Sequence, residues 1–354
     1  MTAQTMLTLP TRREEDANFR PVPWRRMAWI IWRQHRIALA GMAAFLGAVA
    51  WYVWIAGLHL HHAHAAATAC HPASSLACAD LINRFNGMYP ALANGTALQA
   101  VPALIGAFVG APVLARELET GTFRYAWTQG FGRWRWTLAK LVVLAVMVTA
   151  AASAASVLLS WYYQPYFATG NQGRSLSELS PLSSALFDLR GVAFVAWTLA
   201  AFAIGVLAGM VIRRNIPAIV ATLAAYTGLA LVAANLLRRH YLTPLLTSKV
   251  NVPGSAWIYS QWWTQGGKFA FAGSRPPFNL IQQFCPTVTP TSGNKKPSLG
   301  TLAQCLAQHG YTQWTRYQPA SRFWTFQGIE GGWLLALSAL LIAVTIWLVR
   351  HRTS

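Results

Sequence analysis

The sequence predicts an all-α polytopic membrane protein with six transmembrane helices, and three observations support this prediction. Hydrophobic residues make up 55% of the 354 residues and charged residues only 10%, which is too few to cover a soluble domain. Six apolar stretches each approach the length of about 20 residues that a helix needs to cross a bilayer. Lys and Arg outnumber Asp and Glu by 28 to 9 and gather in alternate loops. This composition excludes disorder and collagen, and the positive excess indicates a membrane surface, not nucleic acid.

No predicted span contains a charged residue, so each can pair its backbone polar groups within a helix without burying a charge. Pro102 and Pro112 are expected to kink the second span, which membrane helices tolerate. Because Asp and Glu are absent from all six spans, a proton-driven carrier is disfavoured. The spans are Ile37–Leu58, Ala97–Ala115, Leu141–Ser160, Gly191–Ile212, Ile216–Leu237 and Gly331–Val349.

Lys and Arg cluster before the first span, between the second and third, between the fourth and fifth, and after the sixth. Both termini are therefore predicted to be cytoplasmic, in a plasma membrane. A cleaved signal peptide is the alternative, but the first apolar run has 22 residues and 36 precede it. The predicted divisions are a cytoplasmic tail (1–23), an interfacial helix (24–36), five spans with an inner loop at 116–140 (37–237), an extracellular segment (238–328), and the sixth span with a cytoplasmic tail (329–354).

The segment Trp24–Arg36 is predicted to be an amphipathic helix on the inner membrane surface. At 100° per residue its arginines fall within one arc, which is typical of a helix held on anionic lipid. Trp29 lies in the same arc and is expected to contact headgroups or another subunit. A simple topology anchor would explain the same pattern. The arginines are Arg25, Arg26, Arg33 and Arg36.

Four cysteines lie in the two longer outer segments and none lies in a span or an inner loop, which predicts disulfides. The local pairs Cys70–Cys78 and Cys285–Cys305 need the least loop closure and are preferred among three connectivities. Free buried thiols are the alternative. A short helix is predicted at Ser298–His309, ended by Gly310. No metal site is predicted, because the histidines between 59 and 64 have no carboxylate nearby.

The inner loop at 116–140, RELETGTFRYAWTQGFGRWRWTLAK, is the most informative stretch. It holds two of the nine acidic residues, and Gly130 and Gly132 indicate a turn between two short helices. The loop can present a helical corner at the inner surface, or it can be a solvated loop with an aromatic belt. No P-loop, H-E-x-x-H motif or catalytic triad is visible, so the chain itself is not expected to be an enzyme or to bind ATP through a P-loop.

The run PVLARELETGTFRYAWTQGFGRWRWTLAKL at 112–141 resembles the membrane subunits of actinobacterial ABC exporters, the permeases of the type-2 ABC transporter superfamily. The shared pattern is E-x-E-x-G-T, then W-T-Q, then R-x-x-W-x-x-x-K. WRQHR at 32–36 and YQPASRFWTFQGIE at 317–330 support it. The pattern falls on Glu117, Glu119, Gly121, Thr122, Trp127, Thr128, Gln129, Arg133, Trp136 and Lys140.

The resemblance implies six spans per subunit and a separate ABC ATPase that carries ATP and Mg, with no cofactor in this chain. Working complexes would hold two ATPases and two membrane subunits, which we expect to be identical. The loop 116–140 would be the coupling helix that docks on the ATPase, and 24–36 would be the elbow helix. The predicted ATPase-coupling residues are Glu117, Glu119, Gly121, Thr122, Arg124, Trp127, Gln129 and Arg133.

Two functions follow from the resemblance. The first is export of a hydrophobic or amphipathic cargo, driven by ATP that the separate subunit hydrolyses. The second is an ATPase-coupled sensor or scaffold that acts through the outer segment without transport. An outer-face enzyme ranks last, because no catalytic constellation supports it.

Overall fold

The computed structural model describes residues 24–71, 75–88, 96–121, 133–168, 180–249, 252, 255–286 and 299–351. In these ranges the chain is a bundle of long helices with a small sheet domain at one end. Five of the described helical segments are long and apolar enough to cross a membrane, as expected for a polytopic membrane protein. They are Leu98–Thr120, Arg135–Phe167, Gly191–Ile212, Asn215–His240 and Ala320–His351.

The first helix, α1, runs without a break from Trp24 to Ala69. Its 46 residues extend about 69 Å, more than twice the hydrocarbon thickness of a bilayer. The predicted interfacial helix 24–36 is therefore the first part of α1 and not a separate element, and no Gly or Pro before Gly41 would break it. The predicted first span lies inside α1 and is not among the five spans above, so the count of six stays a prediction.

Two helices follow α1 along the chain. Helix α2 (Leu76–Gly87) begins at Ser75, whose hydroxyl accepts a hydrogen bond from the Cys78 amide at 3.2 Å. Helix α3 comprises Thr96–Ile105, the π-helical turn Gly106–Gly110 and Ala111–Thr120. It ends at Gly121, which has the left-handed φ of 71° that favours glycine after a helix.

The remaining bundle helices surround α5 (Gly191–Ile212), which is buried along most of its length and packs on α3, α4, α6 and α9. Its bounds are those that the sequence predicts for the fourth span. Only Arg213 and Arg214 separate α5 from α6. The other members are α4 (Arg133–Ala168), α6 (Asn215–Val232, the π-helical turn Ala233–Leu237 and Arg238–His240) and α9 (Phe323–His351).

Two G-x-x-x-G motifs bring the backbones of α3 and α5 into contact. Gly106 and Gly110 on α3 face Gly205 and Gly209 on α5. A Cβ added at any of the four would collide with a carbonyl oxygen of the opposite helix. Such close approach gives membrane helices extensive van der Waals contact, which is a main source of their association.

The segment 238–328 contains a four-stranded antiparallel sheet, which the all-α prediction does not include. The strand order is β1-β4-β2-β3, so β4 and β2 are central. Aromatic residues between 257 and 271 supply much of β2 and β3. The strands are β1 (Leu245–Thr247), β2 (Trp257–Gln265), β3 (Lys268–Ala272) and β4 (Tyr311–Gln318).

Two short helices accompany the sheet, α7 (Phe278–Phe284) and α8 (Leu299–Gln308). Leu306 of α8 packs with Trp263 and Tyr311 of the sheet in one buried cluster. Helix α8 confirms the predicted helix at 298–309, and Gly310 follows it with a φ of 77°. The structure joins Cys70 to Cys78 and Cys285 to Cys305, which is the local pairing that the sequence favours.

Candidate functional site

Helices α3, α4 and α6 meet at the end of the bundle opposite the sheet, in a region we call the corner (residues 113–121, 133–140 and 213–215). Glu117 of α3 and Lys140 of α4 form an ion pair there, with 2.6 Å between Oε1 and Nζ. Lys140 also donates a hydrogen bond to the Val113 carbonyl at 2.9 Å. Only 1% of the Lys140 side chain is exposed, so these two partners replace the water that its ammonium has lost.

The second acid of the loop, Glu119, connects α3 to α6. Its Oε2 accepts a hydrogen bond from the Asn215 amide at 3.0 Å. Asn215 begins α6, and the first amides of a helix lack partners within the helix. A carboxylate there also interacts favourably with the helix dipole. Glu119 therefore caps α6 from a neighbouring helix.

The structure brings only part of the predicted ATPase-coupling set together. Glu117, Glu119 and Gly121 lie in the corner. Arg133 begins α4, but its side chain lies outside the described part of the chain. The other members of the set lie outside the described residues: Thr122, Arg124, Trp127 and Gln129. Trp136 and Lys140, which belong to the shared sequence pattern, are buried in α4.

The two carboxylates have intramolecular partners that the sequence does not predict. Glu117 is largely covered and pairs with Lys140, whereas Glu119 is still exposed while it caps α6. Reversal of the Glu117 charge is expected to disturb the fold, because a lysine there would face the buried Lys140 ammonium.

The predicted membrane-interface residues all lie on α1. Trp29 and Arg33 are exposed, and the Arg33 guanidinium lies 5.4 Å from the centre of the Trp29 ring. This cation–π contact explains why Trp29 shares the arginine face. Arg36 is exposed, and the side chains of Arg25 and Arg26 lie outside the described part.

No group of three or more His, Cys, Asp or Glu side chains is placed to hold a metal within the described ranges. Of the four clustered histidines, His61 hydrogen-bonds through Nε2 with the Trp161 carbonyl at 3.0 Å and stacks on the Trp161 ring. Its role there is to join α1 to α4.

A second charged group lies at the sheet end of the bundle. Arg238 of α6 and Glu330 of α9 form a two-pronged ion pair, with Nη2–Oε1 at 2.6 Å and Nε–Oε2 at 3.0 Å. Trp197 of α5 donates a third bond to Glu330 at 2.9 Å. Both charged side chains are 1% exposed or less. Two of the five membrane-length segments therefore include acids that the shorter predicted spans leave out: Ala320–His351 includes Glu330, and Leu98–Thr120 includes Glu117 and Glu119.

Asp188, in the segment before α5, adds a second carboxylate to the same guanidinium. Its Oδ1 lies 2.5 Å from Arg238 Nη2, and 21% of its side chain is exposed. Burial raises the pKa of Asp188 to about 7, although the charge of Arg238 opposes the shift. Asp188 and Glu330 thus share one cation, Arg238. This arrangement favours protonation of Asp188, which is the less buried of the two.

The stability of the fold is expected to fall as pH rises from 5 to 8. The native Asp188 holds a proton up to about pH 7, whereas an unfolded aspartate, with a pKa of 3.8, has lost it. The native state therefore binds more protons in this window, and raising the pH favours unfolding. Thermal midpoints at pH 5 and 8 measure the effect. Asp188→Asn should flatten the pH dependence and Asp80→Asn, an exposed control, should not; an unchanged dependence in Asp188→Asn contradicts the assignment.

A comparison with protein-family models matches residues 42–238 to the family described as ABC-2 membrane transporter related. The match covers more than half of the chain and includes α3, α4, α5 and the corner. No curated protein and no solved structure matches the chain. The chain belongs to the ABC-2 membrane transporter related family and is a multi-pass membrane protein of the ABC-2 permease type.

Proposed function

We propose that this chain is the permease subunit of an ABC exporter and that it moves a hydrophobic or amphipathic cargo outward. ATP is hydrolysed, with Mg, by a separate ABC ATPase subunit, and the chain itself carries no cofactor and no catalytic site. The observation that carries the proposal is the corner, where Glu117–Lys140 and Glu119–Asn215 join three helices beside the loop 122–132.

The corner supports a coupling role because short polar contacts join three helices there, two of which flank residues 122–132 in the sequence. Lys140 holds α4 to α3, and Glu119 holds α3 to the first turn of α6. A displacement of the loop by an ATPase would therefore reach three helices through contacts of 3.0 Å or less. The G-x-x-x-G contact between α3 and α5 extends the same connection into the middle of the bundle.

The assembly that we propose follows from family membership and from the charge distribution. Two copies of this chain would pair with two ATPases in the plasma membrane, with both termini in the cytoplasm. In that orientation the corner faces the ATPase, and the sheet domain lies outside the cell. The Trp29–Arg33 face of α1 would then lie at the inner headgroups.

Glu119 is the sharpest probe of this function, because it is exposed and its loss leaves no buried charge unpaired. Glu119→Lys places a cation at the helix N-terminus, where the dipole opposes it by about 0.3–1 kcal/mol. We expect a folded protein whose cargo transport per ATP is reduced by about tenfold or more. The measurements are purification from native membranes with mass spectrometry of bound proteins, followed by ATPase and transport assays in vesicles.

Asp80→Lys is the matched control, because Asp80 is also an exposed acid and lies on α2, away from the corner. A wild-type chain that purifies without an ABC ATPase contradicts the permease function itself. Normal coupling in Glu119→Lys contradicts the role of the corner while leaving the permease function standing.

The folded outer domain favours one second function, an ATPase-coupled sensor or scaffold. Its sheet and its Cys285–Cys305 bridge provide a stable surface outside the bundle. An ATPase that binds and turns over at the corner without moving any cargo into or out of vesicles would establish this function in place of export.

A further inference from the structure

A cavity of about 410 Å³ lies between α1, α3, α4 and α5, within the membrane-spanning part of the bundle. Its walls consist only of Ala, Gly, Val, Leu and one Phe, so they offer no polar side-chain partner. A buried water needs two to four polar partners, and this wall therefore does not suit water. The small residues Gly47, Ala50, Ala154 and Ala155 create the space.

The cavity opens sideways, towards the lipid. Gly47 of α1 and Ala154 of α4 are exposed at its rim, whereas Val53, Leu159 and Phe194 are buried at its inner wall. A groove that is open to the hydrocarbon region and lined with apolar groups is accessible to a lipid tail without passage through water.

Aromatic rings mark the end of the cavity that faces the sheet domain. Trp54 stacks on Trp161 with 4.8 Å between ring centres. Trp54 directly follows the wall residue Val53, and Trp161 comes shortly after the wall residue Leu158. Tryptophan favours the boundary between hydrocarbon and headgroups. The cavity therefore lies on the hydrocarbon side of such a boundary, where the tail of an outer-leaflet lipid would be.

A cation lies at the same end. Arg190 precedes α5, four residues before Phe194 of the cavity wall, a rise of about 6 Å along the helix. Its guanidinium lies 4.1 Å from the Phe167 ring centre and 5.3 Å from that of Phe323. Nε and Nη1 are buried and have no hydrogen-bond partner within the described residues. Burial lowers the pKa of Arg190 to about 10, so the group stays charged at neutral pH. Within the described residues no carboxylate pairs with it.

We propose that this cavity binds one acyl chain of an anionic membrane lipid, whose headgroup pairs with Arg190. The cavity of about 410 Å³ is large enough for part of one acyl chain, whereas a single turn of a helix about 10 Å wide would need a comparable volume by itself. The proposal concerns a resident lipid and does not depend on the transport function.

The test is native mass spectrometry of the full-length protein, released from detergent after incubation with phosphatidylglycerol or phosphatidylcholine of the same chain length. We expect one phosphatidylglycerol per chain to survive activation that removes phosphatidylcholine, with a preference of about tenfold from one charge-assisted contact. Ala155→Phe fills the cavity and should abolish retention. Val157→Phe, an exposed position on the same helix, should not.

Arg190→Gln distinguishes the contribution of the headgroup contact from that of the acyl chain. It should keep one lipid bound but remove the preference for phosphatidylglycerol. Equal release of both lipids from the wild type, or undiminished retention by Ala155→Phe, overturns the proposal. An unchanged preference in Arg190→Gln overturns the headgroup assignment. If Ala155→Phe does not fold, Ala50→Leu provides the same test, because it fills part of the same cavity with a smaller side chain and should also reduce lipid retention.

Discussion

Replacing Arg238 by methionine is expected to lower the free energy of unfolding by about 3–5 kcal/mol, because the change leaves a buried carboxylate without its counter-charge. Glu330 is fully buried and receives two hydrogen bonds from Arg238. The substitution removes both of these charged donors, and the neutral Trp197 indole remains as a donor. The loss is therefore much larger than for an exposed salt bridge, which contributes about 0–1 kcal/mol.

The adjacent Arg239 provides the matched control, because it is exposed and carries the same charge on the same turn. Thermal unfolding in detergent should show a large decrease in the midpoint for Arg238→Met and almost none for Arg239→Met. The triple variant Arg238→Met, Glu330→Leu, Asp188→Asn removes all three charges and should recover much of the loss. Equal midpoints for the two arginine variants would refute the role of this cluster in holding α6 to α9.

The second large effect is expected from Gly205→Leu, which should prevent the correct packing of α3 on α5. A Cβ at Gly205 already meets the Gly106 carbonyl oxygen, and the Ala111 amide nitrogen lies 2.8 Å away. Neither backbone atom can move without separating the helices, so the larger leucine side chain cannot be accommodated. We expect loss of the monodisperse protein in size-exclusion chromatography.

A graded series makes this prediction specific. Gly205→Ala should reduce the thermal midpoint, and Gly205→Leu should remove the folded protein. Gly228→Leu is the control, because a Cβ at Gly228 on α6 meets no atom within 4 Å. Folded Gly205→Leu with a wild-type midpoint would show that the backbone contact is not needed.

Apolar runs predict the transmembrane helices well where their ends coincide with charges. The bounds of α5 match because Arg190 and Arg213 flank an uninterrupted run. The sixth span is predicted to begin too late, because hydropathy places its start directly after Glu330. Hydropathy scores each residue separately, so it does not detect that Arg238 neutralises this carboxylate inside the bundle.

The sheet domain was missed for a related reason. Aromatic residues between 257 and 271 suit a membrane interface as well as they suit strands, and hydropathy does not distinguish these environments. The pairing of β2 with β4 joins segments about 50 residues apart, which no local pattern reveals. The helix at 299–308 and the disulfides were predictable because they depend on short spacings.

Part of the candidate site was visible in the sequence. The pattern identifies Glu117, Glu119 and Lys140 as a set, but it does not show that the last pairs with the first or that the second caps α6. The G-x-x-x-G motifs are also present in the sequence, but a motif does not identify the helix that it faces. The sequence does not show which of these residues contact one another in the folded protein.

Because α1 is uninterrupted, a movement at one of its ends would be transmitted to the other end. Its last residue is next to Cys70, which is bonded to Cys78 of α2, and its first turns carry the Trp29–Arg33 face. A tilt of about 10° around the midpoint of a rod about 69 Å long moves each end by about 6 Å, in opposite directions. A small displacement of one end of α1 would thus move the disulfide-linked α2 at the other end by more than the pitch of one helical turn, which is about 5.4 Å.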